Sequence, residues 1–97
     1  MRLVWSPYAL SDRDDIFTYI EAHSPRAAVQ VDERISAAVH RLLEYTASGR
    51  PGRVAGTRGL VIAHTPYVAA YVFAADIVRI LRILHGARMW PDEFDSD

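Results

Sequence analysis

Three apolar, β-prone runs crowd the second half of the chain: Thr57 to Ala63, Tyr67 to Ala74, and a last one opening at Val78-Arg79-Ile80-Leu81-Arg82-Ile83-Leu84. Only short turn signals part them, Pro66 in the first gap and Ala75-Asp76 in the second. Runs this closely spaced have to pair with one another, so an antiparallel meander is expected. In the last run Arg79 and Arg82 lie three apart and would point to opposite faces of a regular strand. A β-bulge, or a place at the margin of the sheet for one of them, are the two ways around that conflict.

The first half supplies what covers this sheet. Arg2 to Trp5 is short and β-prone, and Ser6-Pro7 follows as an N-cap with proline at the first helical position, where its missing N–H costs nothing. Tyr8, Ala9, Ile16, Phe17 and Ile20 form the apolar stripe of the first helix. Asp12, Asp14 and Asp15 fall in its early turns, where the helix dipole favours negative charge, and read as a solvated face rather than a metal site. A second pair, Ser24-Pro25, starts another helix, in which Ala28, Val31, Ile35, Ala38, Val39 and Leu42 keep helical spacing. Gly49-Arg50-Pro51-Gly52 is its expected stop. Helices joined this tightly form an antiparallel hairpin, and its apolar face has only the sheet to pack on. The expected fold is α+β in two layers, β-α-α-β-β-β, with a small, mainly antiparallel sheet.

At 97 residues and 51% hydrophobic content the chain suffices for one core, hence a single domain over 1–97, with 92–97 an acidic tail that is a candidate for disorder. The absence of cysteine removes disulfides, thiolate metal sites and cysteine nucleophiles, and suits a reducing compartment. His23, His40 and His64 show no ligand spacing, so neither metal nor cofactor is expected. No basic-then-apolar leader opens the chain, and its longest apolar stretch, Leu60 to Ala75, is interrupted by His64, Thr65 and Pro66. A soluble, cytoplasmic protein without membrane contact is the expectation.

The net charge of −1 conceals a segregation of charge. Residues 50–91 carry Arg50, Arg53, Arg58, Arg79, Arg82 and Arg88 against Asp76 alone, a sum of +5, while residues 1–49 sum to −2 and residues 92–97 to −4. All eleven basic residues are arginine, the planar fork suited to carboxylate and phosphate, although an arginine-rich codon usage accounts for that equally well. Tyr67, Tyr71 and Trp90 near this basic half suggest a stacking surface for nucleic acid. An acidic, initially disordered protein segment that folds on docking fits the modest charge better, and Tyr71 and Phe73 read as core.

The order and spacing of Trp5-Ser6-Pro7, Gly56-Thr57-Arg58, Pro66-Tyr67 and His85-Gly86-Ala87-Arg88-Met89-Trp90-Pro91 resemble the RelE/ParE superfamily of type II toxin–antitoxin toxins over nearly the whole chain. The resemblance implies a toxin neutralised by a cognate antitoxin that wraps its groove, the two forming a hetero-oligomer that reaches operator DNA only through the antitoxin. It also leaves two activities open. RelE-type toxins cut mRNA on the ribosome with lysines and arginines on the middle strands and a C-terminal tyrosine. Laid over that pattern, this chain has Gly59, Val61, Val68 and Phe94 where those groups are expected, and only Arg88 matches. Each missing donor in such a site costs about 2.7–4 kcal/mol of transition-state stabilisation.

Other ribosome-dependent relatives use a histidine, which makes His85 with Arg58, Arg82 and Arg88 the catalytic set of the nuclease alternative, although His85 at a strand end equally reads as a structural residue. ParE-type toxins instead poison DNA gyrase by binding and need no catalytic residues. The hairpin length, Pro25-Arg26-Ala27-Ala28 and the His-Gly-Ala-Arg-x-Trp-Pro phrase are closer to ParE. On that branch Arg58, Arg82, His85, Arg88 and Trp90 are the expected target contacts, arginine and tryptophan being the residues that dominate interface energetics. Trp90-Pro91 equally reads as packing over the sheet edge. A third reading is a non-toxic member that survives only within a repressor complex.

Overall fold

The computed structural model of the protein describes residues 1–86. Its elements are β1 (Arg2–Trp5), α1 (Pro7–Glu21), α2 (Pro25–Arg41), β2 (Arg50–Pro51), β3 (Arg58–Val61), β4 (Tyr67–Ala74) and β5 (Ile77–His85). The expected α+β layers are present: a helix hairpin lies on a five-stranded sheet ordered β1-β5-β4-β3-β2. The meander β3-β4-β5 is antiparallel, and β1 joins β5 in parallel. A parallel neighbour requires a crossover, which the hairpin supplies.

Both serines cap their helices as read: Ser6 Oγ accepts the Ala9 N–H at 3.0 Å and Ser24 Oγ accepts the Ala27 N–H at 3.1 Å, each with proline in the first turn. Ala9, Ile35, Ala38, Val39 and Leu42 are buried against Ile62, Ala69, Tyr71, Val78, Ile80 and Ile83, and Ile16, Ile20 and Val31 pack at the margin. Tyr8 departs from the expected stripe and is 48% exposed. Its neighbour Ala9 in the same turn is fully buried, so the buried face of α1 passes through Ala9 and leaves Tyr8 to one side. Among the described residues no helix is long and apolar enough to cross a membrane.

Two departures share one cause. Helix α2 ends at Arg41 rather than at Gly49, and Arg50–Pro51 forms a short strand instead of a helix stop. The chain tightens through i→i−3 bonds from Leu42, Leu43 and Glu44, and then Tyr71 draws it across to the sheet. The Tyr71 hydroxyl donates to Thr46 O at 2.7 Å and accepts the Gly49 N–H at 2.9 Å. Gly49 is obligatory at this contact, since a Cβ there would stand 2.7 Å from the Tyr71 ring. With the chain held there, Arg50 and Pro51 fall beside Gly59 and Arg58. Tyr71 is thus the core residue expected of it, while Phe73 stacks on its ring and remains 37% exposed.

Tyr71→Phe leaves a buried Gly49 N–H and a Thr46 carbonyl without their partner, and is expected to lower unfolding free energy by about 2 kcal/mol. Gly49→Ala, which forces the ring aside, is expected to cost about 1–3 kcal/mol. Urea denaturation followed by circular dichroism checks both.

Candidate functional site

The bulge in β5 decides where its arginines lie. Pairing with β4 steps from Ala70↔Arg82 to Tyr71↔Ile80, which leaves Leu81 as the extra residue. Residues directly opposite one another share a face of the sheet. Arg79 opposite Val72 and Arg82 opposite Ala70 therefore share the face turned away from the hairpin, and the conflict in their spacing is resolved by the bulge rather than by a marginal position. On that outer face Arg50, Gly59, Ala70 and Arg82 form one row across four strands, Val61, Val68 and Leu84 a second, and Val4, Arg79 and Val72 a third. Ala70 and Leu84 are buried beneath Val54 and Val68.

Asp12 overturns its reading as a solvated acid. Its carboxylate accepts Arg82 Nε at 2.7 Å, Arg82 Nη2 at 2.9 Å and the Ile83 N–H at 2.9 Å, and its side chain is only 15% exposed. Strand β1 stops opposite Ile80, so β5 beyond that point lacks a strand neighbour on this side, and α1 substitutes side chains for one. Ser6 Oγ donates to Leu81 O at 2.8 Å just ahead of the carboxylate. Asp14 and Asp15 are exposed, as read.

The other expected contacts are dispersed. Arg58 faces Tyr71, on the hairpin side, where its Nη1 donates to Gly49 O at 2.9 Å and Ala47 O at 3.4 Å and its guanidinium lies 5.8 Å from the centre of the Phe73 ring. His85 is exposed opposite Tyr67, the rings edge-on with centroids 5.6 Å apart. Tyr71 and Tyr67, which mark the positions of Arg58 and His85, lie four residues apart on β4, about 13 Å along the strand. Arg88 and Trp90 lie outside the described residues. The stacking surface expected of Tyr67 and Tyr71 is absent, because both are buried.

Arg50 and Arg79 were not singled out as contacts, yet both lie on the outer face and make no side-chain hydrogen bond or ion pair with another described residue. Nothing short of the strand register distinguishes them from the other arginines. Beside Arg50 is a groove of about 400 Å³ lined by Arg50, Pro51, Gly52, Arg53, Gly59, Val61 and Val68. This face offers planar cations around an apolar floor, which suits recognition of carboxylates and small apolar side chains.

Burial first, and then the neighbouring Tyr19, push the Tyr67 hydroxyl above its ordinary value of 10.0. The folded state thus favours the neutral phenol, a contribution complete below that ordinary value and lost as pH rises through the raised one. Stability is expected to fall as pH rises above about 10, and to fall less in Tyr67→Phe, as read by urea midpoints on either side of that pH. At the other contact, Asp12→Ala is expected to cost about 2 kcal/mol. Asp12→Asn, which retains an acceptor for the Ile83 N–H, is expected to cost about half as much by the same measurement.

The family model described as ParE toxin of type II toxin-antitoxin system, parDE, matches residues 3–90. The chain is 47% identical over 90 residues to a putative toxin, Y4kP, of Sinorhizobium fredii, covering 93% of each. It is 40% identical over 88 residues to toxin RelE2 of Caulobacter vibrioides, covering 91% of this chain and 98% of the relative. Among solved structures it is similar to a chain of the chromosomal ParDE TA system from P. aeruginosa, with a TM-score of 0.79 and 29% identity over 89% of this chain and 96% of the other.

Proposed function

This chain belongs to the ParE toxin family of type II toxin–antitoxin systems, and on that premise we propose that it arrests growth by binding DNA gyrase rather than by cutting RNA. The dispersal of the cationic and imidazole side chains carries the reading. General base, phosphate clamp and proton donor have to converge on one reacting group at hydrogen-bond range. Here Arg58 is bonded to backbone carbonyls on the hairpin side, Arg82 is on Asp12, and His85 stands beside Tyr67 about 13 Å further along the sheet. Binding makes no such demand, because a stiff sheet presenting arginines and apolar side chains is sufficient.

The antitoxin is the partner that neutralises the protein, and operator DNA is reached through it. The gyrase contacts are the outer face and the end of β5: Arg79 and His85, with Arg82 held in place by Asp12, and Arg88 and Trp90 beyond the described residues. Gyrase places the activity in the cytoplasm, and the 97-residue chain acts as one domain.

Purified, antitoxin-free protein is expected to abolish supercoiling by gyrase at near-stoichiometric amounts and to accumulate cleaved plasmid. His85→Gln, which removes the titratable ring but keeps a hydrogen-bonding side chain at one contact among several, is expected to remain growth-arresting. If a folded, growth-arresting preparation leaves gyrase untouched, the proposal fails, and cleavage of mRNA on programmed ribosomes, lost in His85→Gln, would put the nuclease in its place.

A further inference from the structure

Away from the outer face of the sheet, a second group of cations borders a cavity that the proposed gyrase contacts do not include. It holds about 170 Å³ between α2 and the turn from β3 to β4, and is lined by Arg34, Ala37, Ala38, Arg41, Ala63 and His64. Arg34 and Arg41 are two turns apart on one side of α2, about 10 Å along its axis, with alanines between them. Both long side chains therefore border one cavity over a floor of methyl groups. Arg34 Nη1 donates to His64 O at 3.3 Å, which steadies one guanidinium and leaves most of its N–H groups unspent. Arg41 makes no side-chain hydrogen bond or ion pair with another described residue. The helix end does not require it, because the carbonyls of Val39, His40 and Arg41 already accept the backbone N–H groups of Leu42 to Tyr45. His64 adds strain to the arrangement, with φ at 63° in the left-handed region. Glycine would relieve that turn, but it would also take the imidazole from the cavity.

We infer that this cavity grips a backbone phosphate of double-stranded DNA. The inference deepens the reading of gyrase, an enzyme that works on a duplex, as the target, and rests on it for the source of that duplex. Size selects a group over a molecule, since sites for whole small ligands run from about 300 Å³ upward. A phosphate on a polymer crossing the opening enters a smaller space. Donors reach the cavity from both arginines and from the turn, which surrounds a tetrahedral anion, whereas a planar carboxylate is satisfied by one fork. Glu33, the acid on this stretch of α2, lines a neighbouring groove with Gln30 rather than this cavity. The position suits a protein held on gyrase. His64 lies in the turn that leads into Tyr67, Tyr67 pairs with His85, and a Cβ on Gly86 would stand 3.9 Å from Pro66 O. The cavity thus shares one end of the sheet with the end of β5, so the protein can touch gyrase with one and DNA with the other.

The test uses full-length, antitoxin-free protein and two probes, inorganic phosphate and short DNA duplexes of unrelated sequence. Both probes are expected to shift the amide resonances of residues 37–41 and 63–65. Arg34 and Arg41 are exposed, so Arg34→Gln and Arg41→Gln are expected to melt within a few degrees of the parent chain. His64→Gly, which relieves the strained turn, is expected to melt no lower than the parent. Each variant is expected to weaken duplex binding about fivefold at low salt, alike for every sequence, because phosphate contacts carry no sequence information. The arginine variants are also expected to reduce the slope of log affinity on log salt by about one. Unchanged duplex affinity and salt slope in all three variants would overturn the inference. Shifts with phosphate but none with duplex would overturn it too and assign the cavity to a free anion. Weakened antitoxin binding without a duplex response would overturn it in favour of a partner's carboxylate. Gyrase is scored separately: a chain inert toward gyrase whose duplex affinity responds to the variants leaves the phosphate site standing and removes only the proposed target.

Discussion

The hold of α1 on the edge of β5 is the contact on which the arrangement of layers depends. Strand β1 is four residues long and hands over to a helix at once, so one side of β5 would be left open halfway along. Ser6 closes the first gap while capping α1, and it is 1% exposed as it does so. Asp12, less than two turns on, closes the second and fixes Arg82. Because these bonds run between a helix and a bulged strand, they set the angle of the hairpin on the sheet, and the bulge at Leu81 supplies the carbonyl that Ser6 needs. A helix anchored by its cap and an early acid cannot slide along the strand without leaving several polar groups unpaired.

The second organising contact lies at the opposite end of the sheet. Tyr71, fully buried, gathers Thr46 and Gly49 with its hydroxyl, and Arg58 on the neighbouring strand grips the Ala47 and Gly49 carbonyls from beside it. The loop after α2 is thereby bound to the sheet, and β2 is its by-product. The functional consequence is indirect. Holding this loop places Arg50 at the end of the outer-face row and cuts β2 short, which creates both the groove and the open stretch of β3. The hairpin side of the sheet is filled by the core, so recognition falls to the outer face. There Arg50 and Arg82 close the two ends of a row whose middle is Gly59 and Ala70, and Arg79 stands between Val4 and Val72 in another.

Much of this architecture can be read from local sequence. The Ser-Pro pairs mark both helix starts because a cap is a bond within a few residues, and the turn signals at Pro66 and Ala75-Asp76 divide the meander for the same reason. The readings that changed involve partners distant in the chain. Asp12 looks like any first-half acid until Arg82 and Ile83, about seventy residues away, are brought to it. Helix α2 looks longer than it is because Leu42 keeps the apolar spacing and is indeed buried, although the helix has already ended. Arg58 reads as a phosphate clamp until its donors are found on backbone carbonyls.

By itself the sequence determined the kind and order of the main elements, the two-layer α+β class, the family, and the concentration of arginine in the second half. Those are properties of neighbouring residues and of sums over segments, and they survive any uncertainty in how strands pair. The tertiary structure decided which arginines are available, which face they share, and which sheet edge stays open. A single inserted residue at Leu81 and a single hydroxyl on Tyr71 settle those questions. Strand register alternates sides at every residue, so one bulge reverses the face of everything beyond it, and no local pattern in the sequence records where that reversal occurs.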